Sequence, residues 1–174
     1  PTRPEKDAIA EIPGNIHEMV LDYLGAGIDP ERSTIFVQSA VPQTAELNLI
    51  FEMLITVPRL ERIPSIKEMA EAAHLDAMPF GLVGYPVLQS ADILLPRADL
   101  VPVGRDNLPH VEVCREIARR FNFLYGDVFA EPDSLISDMP LLPGIYGETK
   151  MSKSPGNAIL PSHTAYEVNA PQRQ

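Results

Sequence analysis

The sequence predicts a parallel α/β fold, with helices packed around short, buried strands. Three observations carry that expectation. Amphipathic helical periodicity recurs along the chain, two brief β-branched runs interrupt it, and 18 prolines fall between these segments as boundaries. That proline count is roughly twice the usual ~5%.

Residues 1–13 are polar and proline-bearing, read as a loop followed by a short helical turn. Ile16, Met19, Val20, Tyr23 and Leu24 then fall at i, i+3, i+4, i+7 and i+8, one apolar face of a helix. Gly25, Gly27 and Pro30 supply its stop. Residues 33–38 (Ser-Thr-Ile-Phe-Val-Gln) predict a buried strand. Residues 42–57 predict a helix apolar on more than one side, through Leu47, Leu49, Ile50, Phe51, Met53 and Leu54, and so buried on both flanks. After Pro58 and Pro64 a short helix covers 66–73, a loop covers 78–81, and a helix runs over 85–95. Residues 99–103 predict a second strand, ending at Gly104. A helix follows from Asp106, with Val111, Cys114, Ile117, Ala118 and Phe121 as its apolar stripe. Beyond Phe123 the pattern weakens, and the last fifteen residues carry no assignable element.

At 174 residues, 45% hydrophobic and 22% charged, the chain has the composition of one soluble domain. A chain of this size buries roughly 70% of its unfolded surface and needs no staples. Its single cysteine, Cys114, excludes an intrachain disulfide and a cysteine-based zinc site, and is expected to pack in the core. No apolar run reaches the ~18 residues of a membrane span and no signal-peptide pattern opens the chain, so a cytoplasmic setting without a membrane partner is expected. The net charge of −10 argues against a broad non-specific nucleic-acid surface, and DNA is not an expected partner. Arg115, Arg119 and Arg120 with Glu116 read as a solvated helix face.

Three segments carry chemistry. In the first, Lys150-Met151-Ser152-Lys153-Ser154 sets two lysines three residues apart, separated by small hydroxyl chemistry and followed by Pro155-Gly156. Such a loop can wrap a polyphosphate, with mobile ammonium charges supplemented by hydroxyls and backbone N–H groups. In the second, Tyr85, Gln89 and Asp92 recur at i, i+4 and i+7, so a phenol, an amide and a carboxylate share one face of an otherwise apolar helix. Polar groups there need partners, which suits a pocket for a zwitterion with one further hydrogen-bond donor. In the third, Val101-Pro102-Val103-Gly104-Arg105-Asp106-Asn107 runs from strand to helix through glycine, the kind of strand end where α/β proteins collect ligands. Asp106 there also fits a simple helix cap.

With these segments in place, the chain resembles the tryptophanyl-tRNA synthetases, class I aminoacyl-tRNA synthetases whose signature loop matches Lys150–Ser154. The matching blocks occur in family order over about residues 15–160. The resemblance implies a Rossmann-like parallel sheet flanked by helices, with 1–160 as a partial catalytic domain and 161–174 as an unassigned tail. It also implies a homodimer that charges tRNA(Trp) with L-tryptophan using ATP and Mg²⁺, with no protein-ligated metal. Residue by residue, Asp92 resembles the carboxylate that accepts the indole N–H, and Tyr85, Gln89 and Asn107 the groups around the substrate's amino end. Val101 and Val103 would line the indole slot, Gly104 and Asp106 would lie by the ATP ribose, and Lys150, Met151, Ser152 and Lys153 by the phosphates. Lys150, Ser152 and Lys153 are the expected catalytic set. None of His17, His74, His110 and His163 sits in the family's second, histidine-bearing signature. The family places that motif ahead of the matched region and a helical anticodon-binding domain after it, so the isolated chain is expected to be inactive. Two alternatives stay open on these residues: a tyrosyl-tRNA synthetase fragment, which shares the Tyr…Gln…Asp arrangement, and a truncated tryptophan-binding protein without catalysis.

Overall fold

Helical periodicity accounts for most of the secondary structure in the computed structural model, which describes residues 4–136. These fall into two compact units, residues 5–37 in one and residues 4 and 38–136 in the other.

In the first unit, α1 (Lys6–Ala10) precedes α2 (Ile12–Gly25), which contains the expected 16–24 stripe and carries Pro13 in its first turn. Its end is a Schellman motif. Gly27 takes φ +93, Ile28 N–H donates to the Tyr23 carbonyl at 3.0 Å, and Gly27 N–H donates to Leu24 at 3.0 Å. The strand expected over 33–38 does not form. Residues 34–37 have no regular hydrogen-bonding pattern, and Phe36 is 52% exposed. β-branched composition favours an extended chain, but a strand also needs a neighbour to complete its ladder, and no described strand pairs with this one.

The second unit is built on α6 (Phe80–Leu94), packed against α3 (Gln43–Glu52) and α7 (Leu108–Tyr125). Short helices α4 (Val57–Leu60) and α5 (Pro64–Ala72) close over it. Phe51, Ile63, Ile66, Leu82, Val87, Leu94, Val113 and Ile117 fill the core. Cys114 is fully buried there as expected, and burial pushes its thiol up to about 12, so it is an unreactive packing group. Several boundaries differ from expectation, including α7, which starts at Leu108 rather than Asp106 because Arg105–Asn107 form a 3₁₀ turn. Helix α3 stops at Glu52, and Leu49 and Met53 are 64% and 71% exposed, because α6 covers one flank only. Helix α6 starts at Phe80 rather than Tyr85. Gly81, Gly84 and Pro86 read locally as breakers, but burial of Leu82, Val83 and Val87 outweighs that cost.

Strand β1 (Leu100–Pro102) pairs in parallel with β2 (Asp133–Leu135), Val101 opposite Ser134. Between them a 3₁₀ turn (Arg105–Asn107) and α7 form the crossover of a β-α-β unit. Strand β2 lies where the sequence pattern is weak, and α7 holds it. Arg115 Nη1 donates to the Pro132 carbonyl and to Asp133, each at 3.0 Å, while Arg119 bridges Glu112 at 2.8 Å and Glu131 at 2.6 Å. Asn122 donates to the Phe129 carbonyl at 2.7 Å and accepts from the Val128 and Phe129 amides. The arginine face is therefore an ion-pair lattice fastening the crossover.

Candidate functional site

Helical geometry puts Tyr85, Gln89 and Asp92 on one face of α6, and all three are half-buried while Leu82, Val83, Val87, Ser90, Ala91 and Leu94 are buried. The structure gives two of them partners that no local pattern announced. Gln38, at the start of the 3₁₀ turn Gln38–Ala40, donates from Nε2 to Asp92 Oδ1 at 2.8 Å and to Oδ2 at 3.0 Å. A carboxylate has about four lone-pair positions. One nitrogen set between the two oxygens orients the carboxylate toward Gln38 and leaves lone pairs for another donor.

At the other end of the face, Tyr85 Oη lies 2.6 Å from His110 Nε2, and Ser65 Oγ lies 3.4 Å from both. The two rings are tilted by 31° with centroids 5.3 Å apart. His110 is 2% exposed, and its Nδ1 has no hydrogen-bond partner among the described residues. Its position in the first turn of α7 follows from Pro109, which opens the helix.

Burial lowers the pKa of His110 from its ordinary 6.5, against a smaller upward pull from the charge of Asp106. The unfolded chain therefore binds this proton more readily than the folded one. Stability from this group is complete above about pH 6.5 and is lost as pH falls toward the lower folded value. Thermal unfolding followed from pH 8 to 5 is expected to show that loss, and His110→Gln to diminish it. Parallel profiles for the two proteins would exclude His110 as its source.

Val101 and Val103 are half-buried on and just after β1, and Val103 N–H donates to the Leu135 carbonyl at 3.0 Å. Gly104 is extended (φ −72, ψ 162), so the chain leaves the strand without backbone strain and turns at once into Arg105–Asn107. Asp106 is exposed and Asn107 half-buried, at the junction with α7. Gln89 stands between the two hydrogen-bonded ends of the α6 face. Lys150, Met151, Ser152 and Lys153 lie outside the described residues.

A family model described as "tRNA synthetases class I (W and Y)" matches residues 2–170. The chain belongs to that family. A tryptophan–tRNA ligase of Treponema pallidum is 60% identical to this class I synthetase chain over 159 residues, covering 91% of it and 47% of the relative. One from Thermotoga maritima is 50% identical over 154 residues, covering 88% and 47%. Among solved structures, a Campylobacter jejuni tryptophanyl-tRNA synthetase complexed with ADP and tryptophan aligns with TM-score 0.76 at 34% identity, over 90% of this chain and 48% of that one. The Mycoplasma pneumoniae tryptophanyl-tRNA synthetase aligns with TM-score 0.84 at 26% identity, over 99% and 52%. The Rossmann-like α/β class read from the sequence is thereby shown. The synthetase chain spans about half the length of the relatives it matches. No helix among its described residues is long and apolar enough to cross a membrane.

Gln38, Ser65 and His110 contact the candidate site residues Asp92 and Tyr85 and are absent from the set expected from the sequence. Gln38 falls at the end of the strand expected over 33–38, and both Gln38 and His110 lie in segments that resemble the family, with no site role expected of either. The one available signal was the polar i, i+4, i+7 face itself, which required buried partners without naming them.

Proposed function

We propose that this chain is the catalytic region of a tryptophan–tRNA ligase, which activates L-tryptophan with ATP to the adenylate and passes it to tRNA(Trp). The observation that carries this reading is the oriented carboxylate of Asp92, held by Gln38 on the half-buried face of α6. It is set to accept a ring N–H from a ligand lying along that face, a charge-assisted bond that a phenylalanine ring cannot make. In this reading Val101 and Val103 flank the indole, while Tyr85, Gln89 and Asn107 surround the amino end. Gly104 and Asp106 would lie by the ribose and Lys150, Met151, Ser152 and Lys153 by the phosphates, with 1–160 as a partial catalytic domain.

The chemistry asks little of the protein in proton transfer. An α-carboxylate has a pKa of roughly 3.5, so it is already ionised and needs no general base to attack the α-phosphate. Acceleration then comes from in-line positioning and from stabilising charge on the departing pyrophosphate, which the lysines of the 150–153 loop would supply. In this reading Mg²⁺ accompanies ATP and would be held through the nucleotide's phosphates. When bound there it neutralises phosphate charge. The reading includes a cytoplasmic homodimer.

Asp92→Asn tests it. The substitution is expected to weaken L-tryptophan binding by roughly 10- to 100-fold, the worth of a hydrogen bond to a charged group, with the circular dichroism spectrum unchanged. It should also reduce discrimination against the benzothiophene analogue of tryptophan, which lacks the ring N–H. Calorimetry showing equal tryptophan affinity in both proteins would remove Asp92 from the pocket.

A further inference from the structure

We propose that His110 is a positioning residue for substrate binding: its ring holds the Tyr85 hydroxyl so that the phenol oxygen accepts a hydrogen bond from the α-ammonium of the bound amino acid. This rests on the reading of the α6 face as the amino-acid site.

Tyr85 Oη and His110 Nε2 lie 2.6 Å apart, a hydrogen bond whose direction is set by the tautomer of the neutral ring. In the proposed arrangement the proton of the ring sits on Nδ1, the phenol donates and imidazole Nε2 accepts. Its one proton so committed, the Tyr85 oxygen presents only lone pairs to anything else that approaches. Ser65 Oγ, 3.4 Å from the phenol oxygen, makes a longer and weaker contact than Nε2 does.

Nε2 acting as acceptor leaves the ring proton on Nδ1. That atom is buried and has no partner among the described residues. Buried unpaired polar groups are rare, and are retained where another gain offsets them. A histidine used only to fill the core would be replaced by an apolar ring at lower cost. Here the unpaired N–H is the consequence of aiming Nε2 at Tyr85.

The arrangement holds only while the imidazole is neutral. A protonated ring donates from Nε2, reverses the bond and sets a second cation beside the oxygen that an ammonium would use. Burial favours the neutral ring. Of the groups facing it, Tyr85 from α6 and Ser65 from α5 carry no charge near pH 7, and Cys114, one turn along α7, is held neutral by burial. The N-terminal end of the α7 dipole also disfavours a cation. Asp106, in the preceding 3₁₀ turn, pulls the other way but is outweighed by burial.

The experiment is calorimetric titration of the chain with two ligands, L-tryptophan and indole-3-propionate, the second lacking the ammonium. Wild type is compared with His110→Leu, His110→Gln and Tyr85→Phe at pH 7.5, and tryptophan titrations are repeated down to pH 5.5. His110→Leu is expected to weaken tryptophan roughly tenfold or more while changing indole-3-propionate by about twofold at most. His110→Gln, whose amide oxygen can accept from the phenol, is expected to recover much of the affinity. It should also abolish the loss of tryptophan binding that wild type shows on acidification. Equal weakening of both ligands would reduce His110 to a packing role, and tryptophan affinity untouched by His110→Leu would end the proposal while leaving the proposed function standing. A wild-type chain that binds no tryptophan overturns both. Should His110→Leu fail to fold, the His110→Gln pH profile decides alone: an acid loss equal to that of wild type overturns the assignment.

Discussion

Phe51→Ala is expected to destabilise the chain by about 3–5 kcal/mol, the usual cost of emptying a buried aromatic site. Phe51 is fully buried, and its ring meets Phe121 and Phe129 edge-on at centroid separations of 6.0 and 5.7 Å. Three rings from α3, α7 and the loop before β2 thus pack mutually, Phe121 and Phe129 at 4.8 Å, and truncating Phe51 removes an edge-on partner from each of the other two. The consequence extends to the site. Gln38 leads into α3 while Asp92 stands on α6, so their hydrogen bonds depend on how these helices pack. Urea unfolding should shift to a lower midpoint with little change in slope, and tryptophan affinity should fall with it. A loss below about 1 kcal/mol would mean that the site collapses readily around the missing ring.

The second large effect is kinetic. Within the proposed function, Lys153→Ala is expected to lower the rate of tryptophan-dependent ATP–pyrophosphate exchange by roughly 10²–10³-fold, as when one preorganised charge-stabilising group is removed. Tryptophan affinity should stay near that of wild type, because the ammonium acts on charge that develops only as pyrophosphate departs. The comparison is made in a protein that supports exchange. A mutant that loses binding and rate in equal measure would assign Lys153 to ground-state nucleotide binding, and unchanged exchange would return residues 150–154 to an exposed basic turn.

Most helices were legible because their signals are local. The Ile16–Leu24 stripe, the Gly27 stop and the Val111–Phe121 stripe all reappear in the structure at the expected spacing. Strands were less so. Residues 99–103 contain β1, but 33–38 forms no ladder and β2 at Asp133–Leu135 had no visible signal. A three-residue strand carries too little periodicity to stand out, and its existence depends on a partner 33 positions away in the pairing of Leu100 with Asp133. The same holds for Phe80–Gly84, where apolar burial made a helix from residues that locally favour a loop.

The amino-acid sequence was sufficient to set Tyr85, Gln89 and Asp92 on one face, since helical geometry follows from spacing alone. It also carried the signature loop and the family. Only the folded chain decided what those side chains face: Gln38, 54 positions from Asp92, and His110, 25 positions from Tyr85. Periodicity dictates which residues point the same way, whereas a hydrogen bond requires two distant segments to arrive within about 3 Å of each other. That arrival is set by the packing of α3, α6 and α7 around Phe51, a property of the whole core and of no single segment.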